Sequence, residues 1–173
     1  MDTLKALATR KSVRSFTDEG ICFEDIKRIL TAGMSGPSCV NMRMWSFVVV
    51  RNKELLGKLA VANGIYAAPL RGAALGILVC GDLERIIPEE PDFWVVDASI
   101  AAQNMVLAAH DLGIGSVWLG CWPAEDMVQE VKELLKLPET IVPHTILALG
   151  YPEKPNMTER DLYESDRVHF DEW

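Results

Sequence analysis

Residues 10–16 read Arg-Lys-Ser-Val-Arg-Ser-Phe. Arg10, Ser12 and Arg14 alternate, so on an extended backbone they point the same way. Two guanidinium groups and a hydroxyl on one side suit a phosphate with a neighbouring anionic or carbonyl group. Arginine engages such groups through bidentate, charge-assisted hydrogen bonds worth about 1.5–3 kcal/mol each. A solvated basic turn would carry the same residues, and the segment alone leaves both readings open.

The remaining candidates for chemistry are scattered. His110 sits near the end of a long helical pattern, where a cation suits the helix dipole. His144 precedes a strand and His169 lies near the C-terminus. Structural roles are expected for all three, and a buried or capping role for Asp97. Cys22, Cys39, Cys80 and Cys121 form no Cys-x-x-Cys pair and have no histidine at zinc-ligand spacing. They read as reduced thiols of a cytoplasmic chain. No Gly-x-Gly-x-x-Gly follows a strand, no phosphate-loop motif occurs, and no His-Glu-x-x-His is present. The lack of a protein nucleophile fits a cofactor that does the chemistry.

Charge and composition narrow the partners. The chain has 173 residues and a formal net charge of −8, which disfavours a nucleic-acid backbone as ligand. Residues 1–16 carry Lys5, Arg10, Lys11 and Arg14 against Asp2 alone, whereas the stretch from Tyr151 onward is strongly acidic. A basic cluster inside an acidic protein suggests a local anionic ligand. The N-terminus carries no signal-peptide pattern, and no apolar run approaches the ~18–20 residues that span a bilayer. One domain covering 1–173 is expected.

The elements that must position these residues follow from periodicity. Helices are predicted at 2–9, 23–34, 52–62, 93–113 and 123–135, with Asn52 as an N-cap, Pro123 at a first helical position and Gly113 as a C-cap. Buried strands are predicted at 45–50, 73–80, 116–120 and 145–150. Residues 36–41 read as a loop and 82–92 as an exposed connection. The expected fold is α+β, a sandwich with a small central sheet and helices on its faces. Tyr163, Val168, Phe170 and Trp173 make the polar tail apolar enough to need cover, and a partner subunit is one source of it.

Five segments occur in order: RKSVRSFTDEG, PSCVNMRMWSFVVV, DASIAAQNMVLAAHDLGIGSVWLG, LALGYPEKP and a distal Arg160. Together they resemble the nitroreductase family of FMN-dependent oxidoreductases, over nearly the whole chain. The resemblance implies an α/β/α sandwich with a mixed, mainly antiparallel sheet. It also implies a homodimer with FMN in each of two interface clefts and a C-terminal segment exchanged between subunits. Arg10 and Ser12, with Lys11 between them, are then expected at the FMN phosphate, and Arg14 nearer the pyrimidine edge. In the tail, Thr158-Glu159-Arg160 leaves Arg160 alone of the usual two cations. The family's second motif reads Pro37-Ser38-Cys39-Val40-Asn41-Met42-Arg43-Met44-Trp45 here. Ser38, Asn41 and Trp45 match it, while Arg43 and Met44 replace the usual Gln and Pro. That loop is expected to reach the flavin bound by the other subunit. Trp118, Leu119 and Gly120 match the strand whose backbone faces the flavin's central ring, and Gly120 permits close approach.

The implied activity is ping-pong hydride transfer from NADH or NADPH through FMN to a small acceptor such as a nitroaromatic or quinone. Arg14 is the expected charge stabiliser, with Arg43 a second candidate. Flavin reduction, reductive dehalogenation and non-catalytic FMN binding are the alternatives on the same scaffold. Met42, Met44, Tyr66 and Trp122 are candidates to line the acceptor pocket or to belong to the core or interface. Cys39 and Cys121 are expected as packing groups near the flavin.

Overall fold

A computed structural model describes every residue except Asn156. In chain order the elements are α1 (Thr3–Thr9), α2 (Phe23–Met34), β1 (Trp45–Val50), α3 (Lys53–Ala62), β2 (Leu75–Asp82), α4 (Phe93–Asp111), β3 (Gly115–Gly120), α5 (Glu125–Leu135) and β4 (Ile141–Gly150). Single 3-10 turns lie at Cys39–Asn41, Ile65–Arg71, Leu83–Arg85 and Ser165–Arg167. The strands order as β1-β2-β4-β3, and every neighbouring pair is antiparallel. The parallel element of the expected mixed sheet is confined, among the described residues, to one bridge between Ser12 and Ser116. Among the described residues, no helix is long and apolar enough to cross a membrane.

Strand alternation splits the sheet into two buried faces. Leu78, Cys80, Val117, Leu119, Ile146 and Ala148 pack toward α3, α5 and the turn at Ile65–Arg71. Leu75, Ile77, Val79, Leu147 and Leu149 pack toward α2 and α4. Fully buried leucines and isoleucines such as Leu56, Leu59 and Ile146 contribute about 1.5–3 kcal/mol each. Alanines let α4 lie close: Ala98, Ala101, Ala102 and Ala109 are all buried. Gly33 does the same for α2, since a Cβ there would meet Met105 Cε at 2.3 Å.

Local chemistry sets the boundaries. Asn52 caps α3 by accepting from the Leu55 N–H at 2.9 Å. α4 ends in a Schellman arrangement. Gly113 takes φ of +75°, its N–H donates to His110 O, and the Ile114 N–H donates to Ala109 O. α5 starts two residues later than its proline suggests, because Ala124 is the N-cap and Pro123 precedes it. β4 starts four residues earlier than its apolar run, at Ile141. The register slips between Val79 and Cys80, leaving His144 as an extra residue between Pro143 and Thr145. A bulge is one of the few sheet positions that tolerates a proline.

The tail touches α1 through Arg160, but its last residues are exposed. Phe170 is 83% exposed and Trp173 fully so, with Leu162 and Tyr163 also exposed. β1 leaves one edge of the four-stranded sheet open.

Candidate functional site

The N-terminal basic segment runs along the sheet edge. The Val13 N–H donates to Ser116 O at 2.8 Å, and the Thr17 N–H donates to Tyr151 O at 2.8 Å. Val13 packs over Gly115, where a Cβ would come within 2.8 Å of it. Between this segment, the end of α4 and the start of the tail lies a cleft of about 430 Å³. Arg10, Lys11, Ser12 and Arg14 all line it; alternation groups Arg10, Ser12 and Arg14 on one side, and Lys11 joins them here. Ser116 and His110 form the far side. Glu153 is the one carboxylate on the lining, and none of Arg10, Lys11 or Arg14 is in an ion pair among the described residues.

Lys154 also lines this cleft, a residue that motif reasoning missed. Its signal was topological. Phe16 bridges to Pro152, and the Glu153 N–H donates to Ser15 O, so a cation four residues past β4 must lie beside the basic segment. Lys154 thus adds a further cation to the lining.

Arg160 does not line the cleft. Its Nε donates to Ala8 O at 3.4 Å and its Nη2 donates to Arg10 O, capping the carbonyl end of α1 from behind. Burial, then the nearby Arg160 charge, holds the Arg10 guanidinium below its ordinary value.

The Pro37–Arg43 loop lies elsewhere. Asp97, 1% exposed, accepts from the Cys39 N–H at 2.9 Å through Oδ1 and from the Met44 N–H at 3.3 Å through Oδ2. Ser38 Oγ accepts from the Arg43 N–H at 3.0 Å. Val40, Asn41 and Arg43 all take positive φ, at 42°, 60° and 54°. For a β-branched residue such as Val40 that region is strained. Arg43 Nε donates to Asn41 Oδ1, and the Arg43 side chain lines a separate shallow cleft beside Trp45 and Phe47. Asp97 and His110 are thirteen residues apart on α4, a rise of about 20 Å. Within one chain, Ser38, Cys39, Asn41 and Arg43 therefore do not meet the basic cleft. Pro37 is exposed on the same loop.

The C-terminal end of β3 is a third location. Trp118 and Gly120 are exposed, while Leu119 points into the core and offers only its backbone. The Leu119 carbonyl accepts from Thr145 Oγ1 at 2.8 Å. Trp118 and Trp94 stand edge-on to the His144 ring at 6.0 and 6.1 Å between centroids. Ser99 Oγ donates to Val95 O at 2.7 Å and lies 3.2 Å from His144 Nε2. The hydroxyl proton is committed, so Nε2 carries the imidazole proton. His144 Nδ1 is left buried without a partner, and burial pushes the ring down to about 4.

Of the scattered candidates, Met44 is fully buried and belongs to the core, whereas Met42, Tyr66 and Trp122 are exposed. The Cys121 thiol donates to Asn63 Oδ1 at 2.9 Å, and burial pushes it up to about 12, which removes it as a nucleophile at neutral pH. No cluster of metal-ligating side chains occurs among the described residues.

Comparison with known proteins identifies the family. The profile of the nitroreductase family matches residues 7–64 and 58–151. A protein of Methanothermobacter thermautotrophicus, provisionally named an NADH dehydrogenase/NAD(P)H nitroreductase, is 45% identical over 175 residues, spanning 100% of this chain and 88% of its own. The FMN reductase [NAD(P)H] of Bacillus subtilis is 30% identical over 168 residues, or 87% of this chain and 66% of its own. The solved structure of an FMN-dependent nitroreductase from Clostridium difficile R20291 superposes with a TM-score of 0.86 at 30% identity, covering 99% of this chain and 100% of that one. Basic segment, strand order and overall match converge, and the chain belongs to the nitroreductase family.

Proposed function

We propose that the chain is an FMN-dependent oxidoreductase that takes hydride from NADH or NADPH and delivers it to a small acceptor, a nitroaromatic or quinone. The observation that carries this reading is the basic cleft. Arg10, Lys11, Arg14 and Lys154, with the hydroxyls of Ser12 and Ser116, line one cleft of about 430 Å³ without an ion-paired carboxylate among the described residues. That donor set fits a phosphate ester, because each cation keeps its hydrogen bonds for a ligand.

In this reading Arg10, Lys11, Ser12 and Lys154 hold the phosphate, and Arg14 lies further along toward the pyrimidine edge. When bound there, FMN would supply the hydride-transfer chemistry between nicotinamide and acceptor. The protein's part is positional and electrostatic. Arg14 would stabilise negative charge on the flavin, and Gly120, lacking a side chain, would permit close approach.

A homodimer completes the site. The Pro37–Arg43 loop sits about 20 Å along α4 from the basic cleft, so it suits the cofactor of a second subunit better than its own. The uncovered tail and the open edge of β1 favour exchange of the C-terminal segment. Four free cysteines suit the cytoplasm.

The test is the absorbance spectrum of the purified protein, followed by anaerobic mixing with NADH and NADPH in turn. A flavin band at about 450 nm that bleaches supports the enzyme. A band that persists makes the protein a flavin binder. Colourless protein that ignores FMN in calorimetry overturns the reading.

A further inference from the structure

His110 faces the basic cleft from the last turn of α4. Its Nε2 lies 2.7 Å from Thr9 Oγ1, and that hydroxyl donates its own proton to Lys5 O at 2.7 Å. Thr9 is fully buried, and the one other acceptor in reach of its hydroxyl, Met1 Sδ, is weaker and more distant at 3.8 Å. The oxygen must therefore accept from His110, which fixes the proton of the neutral imidazole on Nε2. The other nitrogen, Nδ1, makes no hydrogen bond within the described residues and is not sealed in the core. The ring thus stands at a cationic cleft with one nitrogen anchored and the other holding a bare lone pair.

The charged groups around it come from every side. Arg10 follows α1, Lys11 and Arg14 lie along the cleft, and Glu153 and Lys154 close it. Asp111 is next to His110 but pairs with the N-terminal ammonium at 2.6 Å. With no anion in the cleft, burial and then Arg10 push the ring's proton affinity down, while Asp111 opposes them. An entering phosphate dianion reverses the largest of the charge effects, because it offsets Arg10 and presents an acceptor.

We propose that His110 is a phosphate-binding residue of this cleft, which takes up a proton from solvent at Nδ1 when a phosphate dianion enters and, keeping that proton, hydrogen-bonds through it to the dianion. The inference rests on the reading that the FMN phosphate occupies the cleft. It adds a cation that exists only in the complex, anchored by Thr9. His110 would then help separate FMN from riboflavin, which lacks the phosphate.

The experiment is isothermal titration of the apoprotein with FMN at about pH 7.5, where the phosphate is already dianionic because its second pKa is about 6. Buffers of widely different ionisation enthalpy give the number of protons exchanged. Wild type should take up a substantial fraction of one proton with FMN and none with riboflavin. His110→Gln keeps a donor for Thr9 but cannot titrate, and it should bind FMN several-fold more weakly with no proton uptake. Should that variant not fold, the histidine Cε1–H resonances of the wild type serve instead. One of the three histidines should then titrate at higher pH in the complex than in the free protein. FMN binding whose heat is independent of buffer, or uptake that survives in His110→Gln, overturns the role of His110 and leaves the cofactor reading intact. No FMN binding at all overturns both.

Discussion

Arg160 reaches back across most of the chain to donate to the carbonyl oxygen of Arg10. The guanidinium that the family resemblance assigns to a phosphate is therefore spent on the backbone that carries one. Arg160→Ala should lower stability by about 1.5–3 kcal/mol, the cost of a lost charged hydrogen bond, and should weaken FMN through the displaced Arg10. Arg160→Lys keeps the charge but not the two-pronged grip on Ala8 and Arg10, so it should recover little. Urea unfolding and fluorescence titration with FMN measure the two effects. Full recovery with lysine would mean that charge alone matters at this position.

Arg10 and Lys154 approach the cleft from opposite ends of the chain. Each truncation to alanine should cost about 1.5–3 kcal/mol of FMN affinity if one charge-assisted bond is lost, about 10- to 150-fold in Kd. Riboflavin should bind both variants as it binds wild type. An unchanged FMN affinity in Lys154→Ala would remove that residue from the site.

Asp97 holds the Pro37–Arg43 loop through two backbone N–H groups from inside the core. Asp97→Asn keeps one acceptor and turns an NH2 toward the other N–H. One buried donor is then left unpaired, at about 1–3 kcal/mol. Thermal unfolding should report that loss. Hydrogen exchange at Cys39 and Met44 should quicken while that of α4 does not. Uniform exchange across both would contradict a local brace.

The fold was legible where periodicity was strong. The apolar runs that became β1, β2 and β3, and the one-sided helix α2, announce themselves through side-chain spacing alone. Pro143 hid the first four residues of β4, because a proline normally argues against a strand and only the bulge at His144 accommodates it. Ile65–Arg71 carries a proline and an exposed apolar pair, so nothing in its pattern marked it as a 3-10 turn. The basic half of the site was readable from Arg10-x-Ser12-x-Arg14. Lys154 and His110 were not, because both reach the cleft through tertiary placement and not through any local motif. Asp97 is buried and caps backbone N–H groups, the role expected of it, but a lone acid on an apolar helix gives no hint of which partners it takes.

His144 gives the protein a pH dependence of definite sign. Burial depresses its folded pKa to about 4, below the ordinary histidine value near 6.5. The unfolded chain therefore binds more protons between those values, and stability must rise with pH through that window. Acidification from about pH 6.5 toward 4 should lower the urea midpoint, with the loss levelling off below about 4. The imidazolium has no acceptor at Nδ1, which is the physical cause. His144→Gln should flatten most of that slope. His110, depressed in the same direction by burial and Arg10, contributes the remainder in the apoprotein. A slope unchanged in His144→Gln would place the acid sensitivity elsewhere.

Deletion of the chain from Tyr163 onward tests the assembly. Those residues carry Tyr163, Val168, Phe170 and Trp173, all exposed in the isolated chain. Apolar side chains of that size gain about 1.5–3 kcal/mol each on full burial, so leaving four of them in water is costly unless a second copy covers them. The open edge of β1 offers backbone donors and acceptors for the same segment. The truncated protein should sediment as a monomer while the full chain sediments as a dimer. Its FMN affinity should fall as well, because the Pro37–Arg43 loop of the second copy would be lost together with the exchanged tail. Arg160 stays in the truncated chain, so the basic cleft itself remains and inorganic phosphate should still compete for it. A truncated protein that sediments as a dimer and binds FMN like the full chain would show that the tail takes no part in assembly.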